Sequence, residues 1–400
     1  MSHKNAKRSL FSVALKVCVG FVIYVIAVSV VLVGVLLYTD NFSSSSARLM
    51  SALSRDSSSD DALEDEMLYS GLDVSNWTNE QLAAQLLFIM APSDDPVGFY
   101  LLAQQGIGAI ALSGEEPAAN MVEELEAAQN EARGGLRMLV ASDEEGGKVA
   151  RLTRFTGTLP APAEIALWSE SDIRKATKAH GERLSDAGVH AVLAPTLDLM
   201  VPDTYMTKWE RTFSEDPEVV ATVGLAWAQG MYDAGLAVCP KHWPGIGSAL
   251  DTHSNTTYVH DLAILEREDL IPFDAIIDAG AQMIMIGHVI VPGLTEPDTP
   301  VTLSPKAYRY LRDKSNPDLI IITDCLDMAG ARERAGFSSS EAAVVALGAG
   351  ADMIMVGALD IETVLPALTS ALDSNELSRQ QVEISVQRLL RLKRQLDLLP

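Results

Sequence analysis

The sequence predicts an α/β protein, a (β/α)8 barrel preceded by an N-terminal transmembrane helix and a disordered linker. Three observations predict the barrel. Eight short, nearly continuous apolar runs recur along residues 74–400. Between them lie stretches with apolar residues at three- and four-residue spacing. Most of the runs stop at a polar residue able to do chemistry. Apolar strands alternating with helices mark a parallel sheet covered on both faces, and polar groups at the carboxyl ends of parallel strands are where a barrel builds its site. An open, doubly wound sheet is the alternative, but no GxGxxG follows the first run, which weakens a dinucleotide-binding version.

Taken in order, residues 1–16 are a basic segment with Lys4, Lys7, Arg8 and Lys16. Residues 17–38 carry no charge over 22 positions, long enough for a helix to cross a hydrocarbon core of about 30 Å. The preceding cations predict a cytoplasmic N-terminus and an extracytoplasmic remainder. A cleaved signal peptide is the competing reading; it would have a shorter apolar region and a small-residue cleavage site, and Leu36–Leu37–Tyr38–Thr39 is a poor one. Residues 39–73, with Ser43–Ser46, Ser57–Ser59 and a run of acids, bury too little apolar surface to fold and read as a linker. The globular part is residues 74–400. Its strands are expected at Leu86–Met90, Ile107–Leu112, Arg137–Ala141, Val189–Ala194, Leu236–Cys239, Met283–Ile286, Leu319–Ile322 and Asp352–Val356. Met121–Ala132 and Ala221–Ala234 are helical by periodicity, and Ser378–Leu396 reads as a closing amphipathic helix.

Composition narrows the function. The chain is 400 residues long and 48% hydrophobic, enough for a sizeable core. Its formal charge of -24 would repel phosphates, so nucleic acid is not an expected partner. The three cysteines, Cys18, Cys239 and Cys325, form no CxxC pair and no disulfide framework; buried thiols are the expectation.

Four segments carry candidate chemistry. Asp324 follows the seventh apolar run, where a carboxylate is held rigidly as a nucleophile requires; a helix N-cap explains the same residue equally well. Lys241 to His253 contains Pro244, Gly245 and Gly247, which prevent regular structure and predict a mobile loop. Asp251 and His253 sit one residue apart, so the carboxylate can fix the tautomer of the imidazole and raise its basicity, as an acid/base pair needs. Metal ligation by His242, His253 and His288 is the rival, without HExxH-type spacing to support it. Asp143–Glu144–Glu145–Gly146–Gly147 follows the third run; Asp143 can accept from hydroxyls and Arg151 can donate, although adjacent acids also suit a solvated loop. Arg211 and Asp216–Pro217 precede a helix, which Asp216 can cap.

Together these segments resemble glycoside hydrolase family 3, in its single-domain bacterial β-N-acetylglucosaminidase (β-hexosaminidase) branch. The family's D-x-E-G-G-R-V-x-R segment reads Asp143 to Arg151, its K-H-F-P-G-H-G…D-S-H loop reads Lys241 to His253, and its T-D-x-L-x-M segment reads Thr323 to Met328. The resemblance implies Asp324 as nucleophile, His253 as general acid/base with Asp251 as its partner, and Asp143, Arg151, Arg211, Lys241 and His242 around the terminal sugar. It implies removal of non-reducing N-acetylglucosamine from peptidoglycan-type glycosides or muropeptides, with no metal or organic cofactor. A β-glucosidase, or a catalytically weak wall-binding homologue, are the alternatives. Three departures stand out: Ile246 replaces the second His of P-G-H-G, the interval from Lys241 to Asp251 is one residue shorter than is usual in the branch, and Lys148 stands where Arg is common. A membrane-anchored enzyme with its catalytic domain outside the cytoplasm is the resulting expectation.

Overall fold

The structure is a computed structural model that describes residues 73–399 except 96, 115, 253–256 and 333–335. The expected membrane segment, the linker up to residue 72 and His253 lie outside the described residues. Among the described residues no helix is long and apolar enough to cross a membrane.

Each of the eight apolar runs overlaps a strand: β1 (Leu87–Pro92), β2 (Ala109–Ser113), β3 (Leu139–Ser142), β4 (Ala191–Val192), β5 (Ala237–Val238), β6 (Met283–Ile286), β7 (Ile320–Thr323) and β8 (Ile354–Gly357). All their pairings are parallel. Six form one sheet in the order β8-β1-β2-β3-β4-β5, and β6 pairs with β7. The ladder does not run unbroken around all eight strands, so the expected closed barrel is not seen as one continuous sheet. Beyond β5 the links are the bridge Trp243↔Ile286 and the bond from Met285 N to Pro240 O, 3.0 Å. Pro240 has no N–H to continue the ladder, which is why pairing thins there. Between β7 and β8 the bridge is Ile322↔Met353, with Asp352 N donating to Ile321 O at 2.8 Å.

The strands share one interior. Ala109 and Ala111, Leu139 and Ala141, Ala191 and Leu193, Ala237 and Cys239, Met283 and Met285, Ile320 and Ile322, and Met353 and Met355 are alternate residues that pack in a single buried cluster with Phe88. Period-two spacing places each pair on the same face of its strand. Leu389 and Leu392 of the last helix join the same cluster. Both described cysteines, Cys239 and Cys325, are buried free thiols, as expected.

Helices connect the strands: α1 (Asn79–Gln85), α2 (Val97–Gln105), α3 (Met121–Asn130), α4 (Glu170–Asp186), α5 (Pro217–Asp233), α6 (Leu270–Asp278), α7 (Pro305–Lys314), α8 (Ser339–Ala349), α9 (Ile361–Asp373) and α10 (Arg379–Gln395). Their starts are chemically marked. Thr78 and Ser338 make capping boxes on α1 and α8, and Ser378 caps α10. Asp216 accepts from Glu218 N at 3.0 Å with Pro217 at the first helical position, so its role is the cap of α5. Helices α4 and α5 cross closely because Gly230 has no side chain; a Cβ there would lie 1.9 Å from Thr177 Oγ1. Asp352, just before β8, binds Arg388 Nη1 at 3.0 Å, Ser385 Oγ at 2.8 Å, Ile321 N at 2.8 Å and the Arg312 guanidinium. One carboxylate thereby ties α7 and α10 to β7.

Candidate active site

A cavity of about 410 Å³ opens where the strands end. Its floor is the top of the shared interior: Met90, Ala111, Leu193, Met285 and Met355. Its polar lining comes from the segments that follow β3, β5 and β7, together with Arg211: Asp143, Glu145, Arg151, Lys241, His242 and Asp324. A larger surface groove of about 630 Å³ lies elsewhere, against the outer helices, and receives none of these groups.

Asp324 immediately follows β7. Its Oδ1 accepts from Cys325 N at 2.7 Å, within its own turn, so it is not the cap of the short helix Ala329–Arg332. Burial opposes its ionisation. The fields of His288 and His242, the Cys325 N–H and Lys241 outweigh that and hold the carboxyl below its ordinary value. Asp324 is therefore an anion at neutral pH, open to the cavity and backed by His288, His242 and Lys241.

The Lys241 segment is not the mobile loop expected of it along its first half. Residues 241–247 are buried and cross-linked. Lys241 N donates to Pro195 O, and Leu197 N donates to Lys241 O at 2.7 Å. Gly247 lies against Leu199 so closely that a Cβ would meet its carbonyl oxygen at 2.2 Å. The Lys241–His242 and Trp243–Pro244 peptides are cis. Asp198 holds both ends of the turn: Oδ2 takes His242 Nδ1 at 2.7 Å and Oδ1 accepts from Ile246 N at 2.7 Å. Asp198 follows β4 and is 1% exposed. His242 thus has its Nδ1 committed and lines the cavity. Ile246, where the resemblance has a histidine, also lines the cavity and packs against Gly287.

Glu144 and Glu145 are not a solvated pair. Both are buried, at 0% and 2% exposure. Glu144 Oε1 accepts from Ser142 Oγ, Arg151 N and Leu152 N, shaping the turn that carries Arg151. Glu145 receives a two-point contact from Arg211, Nε at 2.8 Å and Nη2 at 2.7 Å, and Lys241 Nζ lies 2.7 Å from its Oε1. Lys241 also bonds Asp143. Burial would raise Glu145; Arg211 and Lys241 more than reverse that and hold it far below the usual carboxylate range. Burial would likewise discharge Lys241, but Asp143 and Glu145 keep it charged. Four alternating charges thus wall one side of the cavity. Arg151 differs: its side chain lines the cavity and has no hydrogen bond or ion pair with any described residue.

The structure brings together Asp324, Asp143, Arg151, Arg211, Lys241 and His242. Asp251 is half-buried on the approach to Thr252, which lines the cavity and whose carbonyl accepts from Gly330 N at 3.0 Å. His253 is beyond the described residues. Of the three histidines weighed as metal ligands, His288 has both ring nitrogens engaged, by Thr302 and Cys325, and His242 has its Nδ1 engaged by Asp198. Among the described residues, the His, Cys and acid groups that lie within metal-binding reach of one another are His260, Glu268 and Asp269. Sequence reasoning missed the place of Glu145 in the cavity wall, the tie of Asp198 to His242, and Tyr205 and Trp209 at the cavity rim. Adjacent acids suit a solvated loop as well as a site, so Glu145 carries no signal of its own in the sequence. Asp198 was visible as a carboxylate after the fourth apolar run.

Comparison with known proteins follows the same ground. The family model described as glycosyl hydrolase family 3 N terminal domain matches residues 78–392. Beta-hexosaminidase A of Pseudoalteromonas piscicida is 30% identical over 299 residues, 68% of this chain and 50% of that protein. Beta-hexosaminidase LpqI of Mycobacterium tuberculosis is 32% identical over 270 residues, 65% of this chain and 69% of that protein. The chain therefore spans half to about two thirds of these relatives. A crystal structure of a glycosyl hydrolase family 3 member from Mycobacterium smegmatis superposes with TM-score 0.74 at 30% identity, covering 80% of this chain and 98% of that one. A family 3 β-N-acetylglucosaminidase from a Paenibacillus species gives TM-score 0.72 at 28% identity over 80% of this chain and 62% of that one.

Proposed function

The chain belongs to glycosyl hydrolase family 3, and on that premise we propose that it is a retaining exo-β-N-acetylglucosaminidase acting on peptidoglycan-type glycosides. The observation that carries the reading is Asp324: an ionised carboxylate at a strand end, open to a cavity and backed by His288, His242 and Lys241. An anion so held is a nucleophile for an anomeric carbon. The names of the relatives support the sugar.

In the first step an Asp324 oxygen forms a bond to the anomeric carbon, and the bond to the leaving oxygen breaks. His253, with Asp251 as partner, gives that oxygen its proton. In the second step His253 takes a proton from water, which displaces the sugar from Asp324. The two inversions at the anomeric carbon give net retention. Asp143, Lys241 and His242 offer donors and acceptors to the terminal sugar's hydroxyls, Arg211 holds Glu145 and Lys241 in register, and the unpaired Arg151 guanidinium is available to substrate. We further infer that the eight strands form a closed (β/α)8 barrel. The interior shared by all eight and the bridges flanking β6 and β7 support it. The 22 uncharged residues at 17–38 and the cations before them support a membrane anchor with the catalytic domain outside the cytoplasm, in the order 1–16, 17–38, 39–73 and 74–400.

The test is hydrolysis of 4-nitrophenyl N-acetyl-β-D-glucosaminide beside the matching glucoside, by the wild-type protein and by Asp324→Ala. Turnover of the N-acetylglucosaminide, lost in the variant, is expected. Preference for the glucoside, or a variant as active as the wild type, would refute the reading.

A further inference from the structure

His288 follows β6 and is 1% exposed. Its two ring nitrogens face oxygens that differ in what they can give. Nε2 lies 3.0 Å from the carbonyl oxygen of Cys325. A carbonyl only accepts, so Nε2 carries a proton. Nδ1 lies 2.6 Å from Thr302 Oγ1, in the 3-10 turn Val301–Leu303. That hydroxyl is itself 2.5 Å from the carbonyl oxygen of Gly287. Two oxygens at that separation need a proton between them, and only the hydroxyl has one. Thr302 has then spent its single proton on Gly287 and can only accept from Nδ1. Both nitrogens donate, and a histidine that donates twice is a cation. Tyr308 OH donates to Thr302 O at 3.0 Å and steadies the turn.

The cation grips the residue next to the proposed nucleophile from one end while the nucleophile holds the other. Cys325 O receives Nε2–H of His288, and Cys325 N donates to Asp324 Oδ1 at 2.7 Å. We propose that His288 is a fixed imidazolium that positions Asp324, through the backbone of Cys325 and through its own charge, for attack on the sugar. The positioning half rests on Asp324 being the nucleophile; the charge state does not. The field of His288 is the largest of those that lower Asp324 against the opposing effect of burial. Other titratable groups lie near it among the described residues. Burial pushes the Cys325 thiol and the Tyr308 phenol up, so both are neutral. His242 is held by the Asp198 carboxylate, Lys241 faces Asp143 and Glu145, and Asp327 lies beside Cys325.

The experiment has two arms on the full chain. In the first, ring-15N histidine is incorporated and His288 is assigned by its loss in His288→Gln, or, should that variant fail to fold, by its shift in Thr302→Val. Both nitrogens of His288 stay protonated from pH 5 to about 8, above the ordinary histidine value. A ring nitrogen without its proton at pH 7 would overturn the charge state, whatever the enzyme does. In the second, kcat/KM for the nitrophenyl N-acetylglucosaminide is followed against pH. Glutamine keeps a donor for Cys325 O but carries no charge. In His288→Gln the acid limb moves up by about one unit or more, and the loss shrinks as pH rises. An equal loss at every pH would reduce His288 to packing and overturn its positioning role. Absence of turnover in the wild type would instead remove the nucleophile reading and overturn the positioning role with it, leaving the charge state to the first arm.

Discussion

Lys393, on α10, is a lysine at 0% exposure with one hydrogen-bond acceptor, Gln85 Oε1 at 2.9 Å, for three donors. Burial pushes its amine down to about 7, from an ordinary value of 10.5. The native state therefore gives up this proton more readily than the unfolded chain. Between pH 10.5 and 7 the unfolded chain binds more of it, so stability falls as pH drops through that window and changes no further below it. The shift corresponds to about 5 kcal/mol over the whole window. Lys393→Met keeps the length of the side chain and removes the charge. It also strands Gln85 Oε1, which costs about 1–3 kcal/mol. The variant is thus expected to be more stable than the wild type at pH 7 by about 2–4 kcal/mol. Urea unfolding followed by circular dichroism at pH 7, 8 and 9 reads both effects. Between pH 7 and 9 the wild type should gain about 2–3 kcal/mol on the variant. Parallel stability profiles for the two proteins would refute the assignment of a buried, discharged lysine.

The cavity wall gives two further tests. Asp198→Asn exchanges the anion at His242 Nδ1 for an amide; a charge-assisted bond of about 1.5–3 kcal/mol is lost, and kcat/KM should fall about 10- to 100-fold, whereas an unchanged kcat/KM would show that His242 needs no orienting partner. Glu145→Gln leaves Arg211 and Lys241 without their shared buried anion and should cost about 3–5 kcal/mol in thermal or urea unfolding; a loss under 1 kcal/mol would show the network to be solvated. Asp269 is raised to about 6, by burial first and then by Asp198. A raised acid binds its proton better in the native state, so its penalty grows as pH rises from about 4 to 6. Asp269→Asn should therefore gain up to about 3 kcal/mol at pH 7 and little at pH 4; equal effects at both would contradict it.

The strands were legible because each is buried on both faces, which compresses it into an apolar run with a sharp end. Met283–Ile286 coincides with the expected run, and β7 differs from its expectation by one residue at each end. The charged groups of the cavity were partly legible because strand ends mark them: Asp143, Lys241 and Asp324 each follow one. What hid was pairing across distant segments. Glu145 looks like surface until Arg211, 66 residues away, is seen against it. The turn at Trp243–Gly247 looks mobile by its glycines and proline, yet those residues permit close packing on Leu199, Asp269 and Gly287. Neither the doubly donating state of His288 nor the discharge of Lys393 has any local sequence signal, since both arise from partners brought in by other strands and helices.

The most direct test of the account is to quench the protein during turnover of a slow, fluorine-substituted N-acetylglucosaminyl substrate and map the sugar by mass spectrometry. One N-acetylglucosaminyl group on the peptide holding Asp324, with product of retained anomeric configuration, is the predicted result. Product of inverted configuration, or a sugar bound at another residue, would contradict it.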